Sequence, residues 1–156
     1  EETMIQTFTI DNMNTMDAMH DAIVTNISIH ENILEIEYDN LDIADPEGKP
    51  LYPFNKVTIS YEMRRYNEHF PFCEVTIYYG RKNKYKCIEI EKLIELSKKM
   101  RMESYLYRID SFHNLTLVFD LGRPKKWWSV EIELDPVNIT YNWEGEPTYF
   151  LSNYEN

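Results

Sequence analysis

A chain of 156 residues with 43% hydrophobic residues is long enough to build one domain, over 1–156, around a sizeable core, and too apolar to be disordered. Its formal net charge of −11 disfavours general nucleic-acid binding, which needs a basic surface, and suits a basic protein partner. No stretch approaches the roughly 20 apolar residues of a membrane helix, and the acidic, alternating start EETMIQTFTI lacks a signal-peptide pattern, so the cytoplasm is the expected compartment.

The chain begins with a weak alternation of Met4, Phe8 and Ile10, which predicts a first strand. Met13, Met16 and Met19 then fall three apart and predict a short helical turn, capped by Asp11 or Asn14. Ile23, Ile27 and Ile29 alternate, His30 to Asn32 forms a tight turn, and Leu34, Ile36 and Tyr38 return against Glu35, Glu37 and Asp39. This is a β-hairpin with one wet face. Asn40 to Asn55 holds Pro46, Gly48, Pro50 and Pro53 and reads as a long loop. Val57, Ile59, Tyr61 and Met63 mark the next strand; Val75, Ile77 and Tyr79 another; and Gly80 to Lys84 is a turn into Tyr85 to Ile88.

The only convincing helix follows, at about 89–103. Ile90, Leu93, Ile94, Leu96 and Met100 make one apolar face. Glu89, Glu91 and Glu95 lie early and Lys98, Lys99 and Arg101 late, which complements the helix dipole. Strands then resume: Tyr105, Tyr107 and Ile109; Leu115, Leu117 and Phe119; a loop at LGRPKK; Trp128, Val130, Ile132 and Leu134; a turn at Asp135-Pro136; and Val137, Ile139, Tyr141 and Trp143. With 12 Tyr and only 4 Gly, the composition also favours pleated sheet.

The halves can be laid side by side. ILEIEYD (33–39) matches NLTLVFD (114–120), KVTISYE (56–62) matches SVEIELD (129–135), and EVTIYY (74–79) matches PVNITY (136–141). Any two amphipathic strands look alike under period-two patterning, so the match falls short of demonstrating a duplication. Either way the expected fold is α+β, mainly β: a bent or barrel-like antiparallel sheet of about eight to ten strands, arranged as two meander halves, with one substantial helix covering a face or end.

Little in the sequence points to catalysis. Cys73 and Cys87 are too few for a disulfide framework; they could pair across neighbouring strands but read as buried free thiols, Cys87 sharing a core face with Tyr85. No nucleophile elbow, P-loop or dinucleotide motif is present, and no cysteine has a histidine base nearby in sequence. The acids of DNLDIADPEG have the wrong spacing for an EF-hand. No catalytic, cofactor or metal residues are assigned. His20-Asp21 is a candidate motif, although adjacent residues entering a strand should point to opposite faces. The most suggestive surface is RPKKWW, where Arg123, Lys125 and Lys126 flank Trp127 in an otherwise acidic chain. Trp128 has the inward parity of its strand, which turns Trp127 outward or into the loop, either as a candidate partner-binding residue or as a ring packed over the sheet edge with the lysines guarding that edge.

The run from Met19 to Leu41, MHDAIVTNISIHENILEIEYDNL, resembles the opening of a broad group of small bacterial proteins in which an apolar-His-Asp-small start leads into a β-hairpin. Met19, His20, Asp21 and Ala22, then Ile27, Ile29, Leu34 and Ile36, carry the resemblance. Some members are assigned as immunity proteins, so the resemblance implies a small non-enzymatic protein without transferable catalytic residues. The expected function is therefore a non-catalytic, immunity-like binding protein that meets a basic protein partner through its acidic surface. The alternative is a β-barrel with an aromatic-lined cavity for a small ligand, as carrier or enzyme.

Overall fold

The computed structural model describes residues 3–9, 19–44, 51–65, 73–79, 84–110, 114–123 and 126–145. In chain order these form β1 (Thr3–Phe8), β2 (Ile23–His30), β3 (Ile33–Asp39), β4 (Leu41–Ala44), β5 (Leu51–Phe54), β6 (Val57–Met63), β7 (Cys73–Tyr78), β8 (Tyr85–Ile88), α1 (Ile90–Ser97), β9 (Arg101–Ile109), β10 (Leu115–Arg123), β11 (Lys126–Leu134) and β12 (Pro136–Glu144). Ten strands make one antiparallel sheet, ordered β1-β12-β6-β3-β2-β9-β10-β11-β7-β8, while β4 and β5 pair separately. The fold is the expected mainly-β α+β class, and the sheet is open, with β1 and β8 at its edges.

That order is a palindrome. Pairing β1 with β8, β2 with β9, β3 with β10, β6 with β11 and β7 with β12 maps the left half onto the right. The registers agree in detail. Leu34, Ile36 and Tyr38 face Tyr61, Ile59 and Val57, as Leu115, Leu117 and Phe119 face Leu134, Ile132 and Val130. Both leading hairpins carry a bulge at the matching place, one at Thr25 and one at Tyr105. Ile23 and Glu103, the pair that registers β2 against β9, are themselves matching positions. A pseudo-two-fold axis therefore runs between them.

The first two sequence matches hold residue for residue. The third needs two corrections. Val75 corresponds to Tyr141, not Val137, because these two lie opposite the equivalent residues Ile132 and Ile59. More importantly, the halves are not self-contained meanders: β7 follows β6 but pairs with β11, and β12 follows β11 but pairs with β6. Each half donates its last strand to the other. Asp135 alone separates β11 from β12, so the chain turns a corner from one half-sheet into the other.

One core cluster unites both half-sheets, including Leu34, Ile59 and Tyr141 from the first and Val75, Phe119 and Ile132 from the second. Each fully buried side chain of this kind contributes about 1.5–3 kcal/mol of transfer free energy. Helix α1 buries Ile90 and Leu93, with Ile94, Leu96 and Met100 partly covered, the face expected from the spacing. It is shorter than expected, ending at Ser97, because Met102 and Ser104 alternate into the core and commit Arg101–Ile109 to β9. The supposed loop 40–55 contains the β4–β5 ladder, set off from the main sheet by positive φ at Asn40 (57°) and Lys56 (54°). Likewise LGRPKK is mostly strand: β10 runs to Arg123 and β11 starts at Lys126. Cys87 and Tyr85 are exposed rather than core residues, since β8 is an edge strand. The helical turn expected around Met13 and Met16 lies outside the described residues.

Candidate functional site

Alternation in the first half-sheet (β1, β12, β6, β3, β2) sends Leu34, Ile36, Tyr38, Ile59, Tyr61, Ile139, Tyr141 and Trp143 inward. Glu35, Glu37, Glu62 and Glu144 consequently face out, with Asp39 at the end of β3. None of these five strands contains a Lys or Arg. The carboxylates are held by neutral donors instead. Thr25 Oγ1 donates to Glu37 Oε1 (2.7 Å), Ser60 Oγ to Glu35 Oε1 (3.3 Å), Asn138 Nδ2 to Glu62 Oε2 (3.0 Å) and Thr3 Oγ1 to Glu144 Oε1 (2.7 Å). Such bonds orient a carboxylate without neutralising its charge. Along β3 the outward acids recur at about 7 Å, twice the rise per residue of a strand.

The second half-sheet is built on the same frame but mixes cations with its carboxylates. Arg101 Nε lies 2.6 Å from Glu103 Oε1, and Arg108 Nη2 2.7 Å from Glu131 Oε1. Its strands also bring Lys86, Arg123 and Lys126. The two equivalent faces thus differ in part: the first half-sheet holds its carboxylates without a strand-borne Lys or Arg, while the second pairs Glu103 and Glu131 with arginines and leaves Glu74 and Glu133 without an ion pair among the described residues.

His20 and Asp21 sit beside the pseudo-dyad. Ala22 N donates to Met19 O at 3.3 Å to close a turn, and Asp21 takes φ 66° within it. The positive φ overturns the expectation that the two side chains diverge: His20 Nδ1 lies 2.9 Å from Asp21 Oδ2. Asp21 N and Ala22 O also bond to Ser104, tying the turn to β9. The His20 ring leans on Tyr105, with centroids 5.5 Å apart. The Asp120 carboxyl is held above its ordinary range by desolvation and by Glu103, with His20 opposing. The side chains of His20 and Asp21 are 58% and 71% exposed, so the pair stands on open surface, where such a contact contributes about 0–1 kcal/mol.

Trp127 lies opposite Gly122 near the end of the β10–β11 ladder and is 47% exposed. A Cβ on Gly122 would meet Lys126 O and lie 2.9 Å from both Trp127 Cα and Cε3, so the indole rests on bare backbone. Trp128 faces the other way, with its ring 6.2 Å from that of Tyr79. Lys126 pairs with Arg123 across the hairpin. Lys125 and the side chain of Arg123 lie outside the described residues.

A shallow groove of about 570 Å³ runs between β7, β8 and the start of α1. Cys73, Val75, Cys87, Ile88, Glu89 and Lys92 help to line it, without an aromatic ring. Burial, with the Glu91 carboxylate nearby, pushes the Cys73 thiol up to about 12, which leaves it protonated and unreactive at neutral pH. Among the described residues no group of His, Cys, Asp and Glu has metal-binding geometry, and no helix is long and apolar enough to cross a membrane.

The acidic side of β3 is visible in the alternation of Glu35, Glu37 and Asp39, but its extension across five neighbouring strands is not. The strings TMIQTF, IVTNISIH, ILEIEYD, VTISYEM and PVNITYNWE lack cations. Only the sheet order shows that they are neighbours. Compared with protein-family models, curated proteins and solved structures, the chain matches none.

Proposed function

We propose that this is a non-catalytic binding protein whose outward first half-sheet face receives a basic protein. One observation carries the reading: Glu35, Glu37, Glu62 and Glu144 are positioned by hydroxyl and amide donors on strands without a single cation. Fixed, unneutralised charges raise the encounter rate with an oppositely charged partner and lose little entropy on contact. An immunity-like role, covering a cationic protein, fits this face and fits the resemblance of the Met19–Leu41 segment.

The test is affinity capture from a lysate at low and high salt, with retained proteins identified by mass spectrometry. A basic protein should be held at low salt and released at high salt, because exposed charges are screened. The Glu35→Lys/Glu37→Lys variant should bind it about 10- to 100-fold more weakly, some 1.4–2.7 kcal/mol. Retention that ignores salt, or full affinity in the reversed variant, would sink the reading.

A further inference from the structure

The outward side of the second half-sheet gathers aromatic rings beside one unclaimed carboxylate. Asp120 on β10 lies opposite Ser129 on β11, and Ser129 lies opposite Tyr78 on β7, all on one face. Trp127 stands two residues before Ser129, so it shares that face and is the diagonal neighbour of both Asp120 and Tyr78, at about 7–8 Å. Its indole leans onto Gly122, two residues beyond Asp120 on β10. Tyr78 donates its hydroxyl to Glu131 Oε2 at 3.3 Å and sets its ring 6.0 Å from that of Tyr85. Trp127, Tyr78 and Tyr85 are all exposed, while Lys86 and Lys126 have the opposite parity and face away from them. The neighbouring carboxylates show what this face takes. Glu103, directly opposite Asp120 on β9, holds Arg101 Nε at 2.6 Å. Glu131, two residues beyond Ser129, holds Arg108 Nη2 at 2.7 Å on the oxygen that Tyr78 leaves free. Asp120 lies between them and meets neither an arginine nor a hydrogen-bond donor among the described residues; of the charges acting on it only His20 is opposite in sign, against Glu103 and Asp21.

We propose that Asp120, Trp127 and Tyr78 form a binding site for an arginine side chain, the anchor residue of the basic protein partner. This rests on the reading of that partner as basic and adds where it is held. A guanidinium is planar, so the same group can lie against an aromatic ring and donate two parallel hydrogen bonds to a carboxylate. The negative faces of the rings favour it further. A lysine ammonium has neither the plane nor the fork. Phosphate finds no partner here, since Arg101 and Arg108 already hold carboxylates. One partner can reach both parts of the surface. The pairs Asp39–Ile23, Ile23–Glu103 and Glu103–Asp120 put Asp120 three strand spacings from Asp39, about 14 Å, well within an interface of ordinary size. The carboxylates of β3 then steer the encounter, and the arginine seated among aromatic rings supplies the kind of contact that dominates binding energy.

The experiment is a nuclear magnetic resonance titration of the isotope-labelled full chain with N-acetylarginine amide. The indole N–H of Trp127 and the amide of Ser129 should shift together, with a dissociation constant on the order of 1–10 mM for so small a ligand. N-acetyllysine amide should bind about fivefold more weakly. Asp120→Asn and Trp127→Ala should each weaken the arginine probe about tenfold, read at Ser129, whereas Glu74→Gln, on the same face but away from Trp127, should change nothing. Circular dichroism checks the fold of each variant, and the unsubstituted chain against the two probes decides the matter without any of them. No shift at about 50 mM probe overturns the proposal. So does a lysine probe that binds as well as the arginine one, a stronger response to tetramethylammonium or to cellohexaose, or an Asp120→Asn chain that binds like wild type. A basic protein captured equally by wild type and by Asp120→Asn/Trp127→Ala overturns this site and leaves the proposed function standing. If instead the Glu35→Lys/Glu37→Lys variant binds probe and partner like wild type while Asp120→Asn/Trp127→Ala loses both, the first half-sheet face fails and the arginine site stands.

Discussion

Tyr38, Tyr61 and Tyr141 fill the first half of the core on the adjacent strands β3, β6 and β12. Their equivalents in the second half are Phe119, Leu134 and Val75, so the hydroxyls are an addition to one repeat. The hydroxyls of Tyr38 and Tyr61 are fully buried and act on each other, without a hydrogen bond of standard geometry to the rest of the core. A buried polar atom in that state costs about 1–3 kcal/mol. Tyr38→Phe/Tyr61→Phe should therefore raise stability by an amount of that order, read from urea denaturation. Desolvation holds both phenols above their ordinary 10.0 in the folded protein. Above that pH the unfolded chain loses phenolic protons that the folded chain keeps, so stability falls as pH rises. Alkaline unfolding should be delayed in the double variant, and an unchanged profile would show that these phenols do not drive it. None of this was legible beforehand, since an inward-pointing Tyr has the same parity whether or not its hydroxyl finds a partner.

At the level of elements, the two long hairpins diverge at their tips. In the first repeat Asn40 and Lys56 adopt positive φ and bend the tip into β4–β5, burying Leu41 and Ile43 and bringing Phe54 within 6.1 Å of Trp143. In the second the ladder runs straight on, and Trp127 covers Gly122. Gly122→Ala should cost about 1–3 kcal/mol, because the new methyl meets backbone that cannot swing away. Its thermal melt should fall accordingly, and an unchanged melt would mean that the hairpin yields there. The hairpin β2–β3 and the apolar face of α1 were readable from period alone. The β4–β5 ladder was hidden by Pro50 and Pro53, which argue locally against strand. The His20–Asp21 contact was hidden because parity assumes extended backbone and Asp21 is not extended. The end of α1 was overrun because Met100 continues the apolar spacing of Leu93 and Leu96, and Lys98, Lys99 and Arg101 suit a helix C-terminus, beyond where the helix stops at Ser97.

For the whole molecule, the likeness of the two halves was visible in the matched strand frames, but the exchange of β7 and β12 was not. Alternation says which face of a strand is buried and nothing about which strand lies beside it. The exchange makes each repeat incomplete. A fragment 1–81 has β7 without β11, and β1 and β6 without β12; a fragment 82–156 has β11 without β7. Each should be unfolded alone, and the pair should fold when mixed, as circular dichroism and gel filtration would show. Either fragment folding by itself would mean that the repeats are autonomous.

The pairing of Thr3 with Glu144 also governs how the chain leaves the ribosome. Among the described strands β1 is made before all the others and its partner β12 after them. At a synthesis rate of about 5–20 residues per second, β1 waits roughly 7–30 s with its ladder groups unpaired. Nascent chains are thus exposed longest along this segment, and a holdase that shields it would raise yield without touching the finished fold.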